Sequence, residues 1–406
     1  MNGVKSWTVT LVFYFLILAV LIANLDGSSS LYGILPKRGP ASPRQPLAHL
    51  QHLGVTGGKL LDFFQEHLLE LPEHIESSSP RISLYYDAFK NYLYGPGDNA
   101  RPVNCNPDRS IVAKLTRDVQ PIPVHSHNDY WRDLPLFEGI AYGAVSTEAD
   151  VWLVHSPSLA DGVTSEDVIL AVGHNEVFLD PVHRTLDQLY TVPLKTMLDQ
   201  VNCREGHRGG LFYDSPENTL FFYIDFKSED NVLTYKLLMD NYLKPLADAG
   251  YLTYYDLHNN ELVWNQVTVV LTGDFPKDLN IVDNGNADRG YYNTGKRHVF
   301  QEADILDPTA LDTNASVVST ASYSRLLEKC GSSDKEVLSQ GQLSSATVKC
   351  IRSYIEKSHD AGLKTRIWGA PNWPKNLAVN VWTQQVKELE VDILNVDDLK
   401  VASNTF

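Results

Sequence analysis

The chain has 406 residues, of which 43% are hydrophobic and 21% charged, with 25 Gly and 21 Pro. That composition excludes a disordered chain and suits either two average domains or one elaborated barrel. The formal charge of −16, with no basic run interleaved with aromatics, argues against nucleic acid as a partner. An anionic substrate would then need a metal and one or two lysines to supply local positive potential.

Ser6 to Leu25 is uncharged and mostly apolar, bounded by Lys5 and Asp26. A run of about 20 such residues can span a bilayer, so residues 1–26 read as a transmembrane anchor or a cleaved signal peptide. Either reading places the protein in the secretory pathway, membrane-anchored or secreted. Residues 27–120 read as linker and N-terminal elaboration: Ser, Gly and Pro to about Pro46, then a helical pattern around Leu60 to Leu71, then turns near Gly95 and Pro107.

Beyond Pro121 short apolar strands alternate with helical stretches, the signature of a parallel sheet with crossover helices. Eight strands are expected to start near Ile122, Ser146, Leu220, Val267, Arg297, Ala315, Lys364 and Ile393. Helices are expected at Val232 to Ala249, Ser344 to Ala361 and Pro374 to Glu390. The pattern predicts an α/β fold, a (β/α)8 barrel over residues 121–406, with a doubly wound open sheet as the alternative. Cys105, Cys203, Cys330 and Cys350 fit no zinc spacing and allow three pairings, of which Cys330 with Cys350 is favoured. Asn314-Ala315-Ser316 is a glycosylation sequon.

Reactive groups of such barrels follow the strands. After Ile122-Pro123-Val124 comes His125-Ser126-His127-Asn128-Asp129-Tyr130, a dense set of proton-transfer groups. For His125 ordinary capping and turn chemistry is an equal reading; the acid/base role is taken for His127. Glu148 and Asp150 alternate onto one strand face, where two carboxylates repel unless a cation joins them, and oxygen donors favour Mg or Ca. A solvated strand face is the bland alternative, which the following Val151-Trp152-Leu153-Val154 disfavours. Leu220 to Lys227 is an apolar strand ending in Asp225 and Lys227, read as a third metal ligand and a phosphate-binding ammonium, or as a plain ion pair. Leu170-Ala171-Val172-Gly173-His174 supplies a second histidine at a strand end.

In this order the residues resemble the phospholipase-C-like phosphodiesterase superfamily, which includes glycerophosphodiester phosphodiesterases and the spider-venom sphingomyelinase D group. Within it they are similar to the fungal altered inheritance of mitochondria protein 6 family. The pattern His-Asn-Asp-Tyr, Glu-x-Asp, Val-x-His, Thr-Leu-x-x-Leu-Tyr stands here at His127–Tyr130, Glu148–Asp150, Val172–His174 and Thr185–Tyr190. The resemblance implies a (β/α)8 barrel, a divalent metal and phosphoric diester hydrolysis. It implies catalytic His127 and His174, metal ligands Glu148, Asp150 and Asp225, phosphate-binding Lys227 and a pocket-lining Trp368. Asn128 stands where glycerophosphodiesterases carry Arg directly after the first histidine, which argues against carrying over that substrate, and His155 to Asp167 lengthens a loop beside the pocket, so substrate size does not carry over; the substrate expected is a phosphodiester, that of a phospholipid or a glycerophosphodiester. Two rivals remain: a catalytically silent membrane-tethered binding protein on the same barrel, and a glycoside hydrolase, which would leave the histidines and lysine without a task.

Overall fold

The computed structural model describes residues 54–67, 84–94, 106–155, 168–204, 206, 208–284, 295–309 and 314–406. The apolar run from Ser6 to Leu25, the linker, Cys105 and loop residues 156–167 lie outside the described residues. Among the described residues no helix is long and apolar enough to cross a membrane.

Thirteen strands are described: β1 (Ile122–Ser126), β2 (Ala144–His155), β3 (Val168–Val172), β4 (Leu220–Phe226), β5 (Tyr254–Asp256), β6 (Glu261–Val263), β7 (Val267–Gly273), β8 (Lys296–Arg297), β9 (Val299–Gln301), β10 (Ala303–Asp304), β11 (Val318–Ser322), β12 (Lys364–Trp368) and β13 (Ile393–Val396). In the main sheet β13, β1, β2, β4, β7 and β9 pair in parallel, as do β10, β11, β12 and β13. Only Glu302 separates β9 from β10. One run of chain therefore pairs first with β7 and then with β11, and brings the parallel strands round into an α/β barrel.

The strands are buried on both faces, which explains why they read as continuous apolar runs. On β4, Phe222, Ile224 and Phe226 pack outward with Leu189, Tyr190 and Leu238. The alternate Phe221 and Tyr223 pack inward with Val270, Phe300, Val318 and Ile393. Helices Gly57–His67, Leu84–Tyr94 and Ile111–Thr116 contribute Leu60, Phe64, Phe89 and Leu115 to the same core as Phe137 and Leu194.

Several boundaries differ from the sequence expectation. Arg297 belongs to a satellite sheet, β6-β5-β8, and its guanidinium pairs with Asp283 at 3.1 Å; the barrel strand starts two residues later, at Val299. Ala315 is still connecting chain, its carbonyl accepting from Gln301 N at 2.8 Å, so β11 begins at Val318. The helix expected over 232–249 is three pieces, Asn231–Leu237, a π-helical Leu238–Leu243 and Lys244–Asp248. Pro245 has no N–H to continue the ladder, and the wider turn absorbs the mismatch. The helix expected at Ser344 to Ala361 is observed as Ser345–Asp360, with Ser344 as N-cap accepting from Thr347 N. The helix expected at Pro374 to Glu390 runs from Lys375 to Lys387.

Cys330 and Cys350 form a disulfide across a sequence separation of 20. Closing a loop of that size in the unfolded chain is worth about 3 kcal/mol. The double variant C330S/C350S should lose about that much stability in urea unfolding, with its m-value little changed if the fold is retained; an unaltered midpoint would show that the bridge contributes nothing.

Candidate active site at the barrel mouth

Inward-facing residues at the carboxyl ends of β2 and β4 converge. Asp150 stands opposite Asp225 in the parallel register of the two strands. Glu148, Asp150 and Asp225 each offer a carboxylate oxygen, all within 4.8 Å of one another. Burial and the neighbouring carboxylates push Asp150 up and Asp225 up to about 6, against the opposing pull of Lys227. Lys227 Nζ donates to Asp225 Oδ2 at 2.8 Å and lies 3.1 Å from Asp150 Oδ2. The ion pair and the site are therefore the same arrangement, with one ammonium shared by two carboxylates.

The cluster fits a hard divalent cation. Asp225 Oδ1 is buried with no hydrogen-bond partner. It faces Gly273, whose φ is +72° and where a Cβ would collide with that oxygen. Three carboxylates with a single adjacent ammonium retain an excess of negative charge, which oxygen-ligated cations neutralise.

Each histidine is oriented through Nδ1. His127 Nδ1 lies 2.7 Å from Asp397 Oδ1, immediately beyond β13, and Asp397 also accepts from Asn372 Nδ2 at 2.9 Å. Burial disfavours the imidazolium of His127, but the Asp397 hydrogen bond and the field of Glu148 outweigh it and raise the pKa. Asp397 is held below its usual range despite burial, by His127 and Asn372. His174 Nδ1 lies 3.3 Å from Asp150 Oδ2 and 3.2 Å from the Tyr130 hydroxyl. It gets there by an unusual route: β2 overshoots the barrel rim, and β3 folds back along it in antiparallel pairing, Val172 opposite Val151. Gly173 N then donates to Asp150 O at 3.1 Å. The strand expected at Leu170 is thus real but is a hairpin partner of β2, outside the barrel ring.

Asn128 takes the left-handed conformation, φ 48°, and its backbone N–H donates to Glu148 Oε2 at 2.8 Å. The Tyr130 hydroxyl lies 2.5 Å from Asn128 Oδ1 and 2.8 Å from Asp150 Oδ2. His125 is fully buried, its Nδ1 2.7 Å from Ser146 Oγ and its ring edge-on to Tyr223. Burial first and the Arg366 charge second push it down to about 3. His125 lies beneath Glu148, Nε2 to Oε2 3.8 Å, where burial favours the neutral ring. Glu148 stays ionised in spite of its burial, helped by His125 and Arg366.

Trp368 ends β12 and is half exposed, with alternation placing it on the same strand face as Arg366. Three contributors escaped the sequence reading. Asp397 follows an apolar strand directly, the criterion applied elsewhere, and could have been found by it. Arg366 is buried, donates to Asn395 Oδ1 at 2.8 Å and Glu302 Oε1 at 3.2 Å, and lies 4.4 Å from the Tyr223 ring centre. Glu302 directly follows β9 and meets the same criterion, whereas Arg366 lies inside β12 and only barrel closure brings the two together.

Residues 113–293 match the AIM6-like phosphodiesterase domain. The protein called altered inheritance of mitochondria protein 6 in Zygosaccharomyces rouxii is 67% identical over 100% of both chains. The chain belongs to the altered inheritance of mitochondria protein 6 family. Other members, from Saccharomyces cerevisiae strain YJM789 and Candida glabrata, are 48% and 43% identical, covering 89% and 96% of this chain and 90% and 96% of their own. No solved structure matches. The Thr-Leu-x-x-Leu-Tyr element by which this chain resembles the altered inheritance of mitochondria protein 6 family has a structural task here. Tyr190 is buried, and its hydroxyl lies 3.0 Å from both Asp129 Oδ2 and the Glu148 carbonyl.

The His127–Asp397 pair predicts a titration. With its folded pKa above the ordinary 6.5 or so, His127 adds stability that is complete below that pH and lost as pH rises through the folded value. In an NMR titration Asp397→Asn should move the His127 midpoint downward, and an unmoved midpoint would sink the pairing.

Proposed function

We propose that the chain is a metal-dependent phosphoric diester hydrolase. The observation that carries this reading is the convergence of two carboxylate-oriented imidazoles and one ammonium on a three-carboxylate cluster at the barrel mouth. Glu148, Asp150 and Asp225 would hold Mg or Ca, which supplies charge stabilisation for a phosphoryl oxygen when bound.

The chain's own groups divide the remaining work. Lys227, tethered between Asp150 and Asp225, offers its ammonium to a non-bridging phosphate oxygen. With Nδ1 of His127 committed to Asp397, Nε2 is the nitrogen left to meet a reactant. Its raised pKa suits donation of a proton to the leaving alkoxide. His174, with Nδ1 against Asp150 and Tyr130, presents Nε2 as the base that takes a proton from the nucleophile. Where the substrate carries a neighbouring hydroxyl, that group can replace water and yield a cyclic phosphate. Asn128, beside His127, and Trp368 are the further substrate contacts in this reading.

The same proposal places the barrel in the secretory pathway, anchored or released. The Cys330–Cys350 disulfide supports it, since such bridges persist in oxidising compartments, as does the apolar run from Ser6 to Leu25.

Release of nitrophenol from bis(p-nitrophenyl) phosphate should vanish in EDTA and return with Mg or Ca; full activity in excess chelator would overturn metal dependence. His127→Ala and His174→Ala should each lower turnover by roughly two to four orders of magnitude with the fold intact by circular dichroism. If calorimetry shows Mg or Ca binding that Asp150→Asn abolishes, yet no diester is cut, the barrel is a binding protein and the hydrolase reading falls.

A further inference from the structure

Ten large hydrophobic side chains stand exposed among the described residues, and six of them lie on the loops and at the end of β12 around the candidate site: Trp131, Val177, Phe178, Val182, Trp368 and Trp373. Four are well out in solvent, Val177 at 89%, Trp373 at 77%, Phe178 at 70% and Trp131 at 60% relative exposure. Their placement follows from the site itself. Trp131 comes directly after Tyr130, and its ring lies 5.1 Å from that of His174. Val177, Phe178 and Val182 belong to one excursion of chain after His174. It leaves at Val172 and returns at Arg184, which are joined by Val172 N donating to Arg184 O at 2.8 Å. Trp373 follows Asn372, whose amide holds the Asp397 carboxylate behind His127. Three separate loops thus bring apolar tips to the same end of the barrel.

A water-soluble diester gives no reason to surround the catalytic groups with uncovered Trp, Phe and Val. Clustered exposure of this kind marks an interaction surface, and Trp in particular settles at the headgroup level of bilayers. The charge pattern narrows the partner. Asp133 and Glu176 are exposed among these residues, and the whole chain carries −16, which disfavours an anionic surface. In addition, the sequence places an apolar run of bilayer-spanning length, Ser6 to Leu25, ahead of the barrel on the same chain.

We propose that the rim formed by Trp131, Val177, Phe178, Val182, Trp368 and Trp373 docks on a zwitterionic phospholipid surface, so that the diester reaching the site is that of a lipid headgroup. The substrate class rests on the hydrolase reading; the docking does not. The apolar tips enter the interface, the mouth faces the headgroups, and a phosphodiester need rise only slightly to meet Lys227.

Hydrogen exchange on the full-length chain, with and without phosphatidylcholine vesicles, tests docking without any catalysis. Amides in 176–180, at Val182 and in 372–373 should be slowed about tenfold or more on vesicles, and much less in the variant F178S/W373S. Protection confined to the N-terminal run, or equal protection in wild type and variant, overturns the proposal and leaves the rim for a protein partner. With activity as readout, F178S/W373S should cut vesicle phosphatidylcholine about tenfold more slowly while hydrolysing bis(p-nitrophenyl) phosphate at the wild-type rate. An equal loss on both substrates would show that the two residues serve the fold. Protected loops with no turnover on either substrate would uphold docking and reject the hydrolase reading instead.

Discussion

Mutual repulsion among Glu148, Asp150 and Asp225 is the constraint around which the mouth is built. Buried carboxylates so close together favour protonation, as the upward displacement of Asp150 and Asp225 records. Everything nearby answers that charge. Lys227 bridges two of the three, the Asn128 N–H meets the third, and the Tyr130 hydroxyl reaches Asp150. Arg366 provides a positive floor without competing for the ligand oxygens, since its guanidinium is spent on Glu302 and Asn395.

Holding such a cluster requires a stiff base, and the layer beneath it supplies one. Asp129 is buried and accepts from Ser126 Oγ at 2.6 Å and Leu136 N at 2.6 Å, while Arg132 Nε donates to Ser126 Oγ at 2.7 Å. Arg132 also reaches the Asp397 carbonyl at 3.0 Å, tying the loop after β1 to the loop after β13. The two loops that carry His127 and its orienting carboxylate are therefore linked directly. Buried networks with nearly every group satisfied are rigid, and rigidity keeps His127 at a fixed separation from the carboxylate cluster.

The sequence made the barrel legible because its strands are apolar on both faces and its turns are marked by Gly and Pro. It also made Glu148, Asp150, Asp225 and Lys227 legible, since alternation along one strand is a local rule that needs no knowledge of the partner strand. Glu302 and Asp397 stand directly after strands and were open to a local criterion, but their pairing with Arg366 and His127 was not. Their roles depend on which strands end up side by side, and β12 and β13 meet β1 only through ring closure. His125 was ambiguous for the same reason. Its neutral form is favoured by burial first, with Tyr223 edge-on to its ring, and by the Arg366 charge second; those residues stand 98 and 241 positions further along by difference of their numbers, and no local pattern could report that. The start of the fifth barrel strand was misread because Arg297 and Val299 lie in different sheets two residues apart.

The folding back of β3 along β2 separates the site into two inheritable parts. The three clustered carboxylates and His127 belong to the ring, whereas His174 is delivered by a strand that only leans on it. Ladder register fixes where His174 emerges, so residues can be gained or lost between His155 and Val168 with the imidazole still beside Asp150. A shift of one residue in the β2–β3 pairing would instead present Gly173 or Asn175 to the cluster and turn the histidine to the opposite face. Length variation in that connection is thus a route by which relatives could reshape the approach to the site while its proton chemistry stays the same.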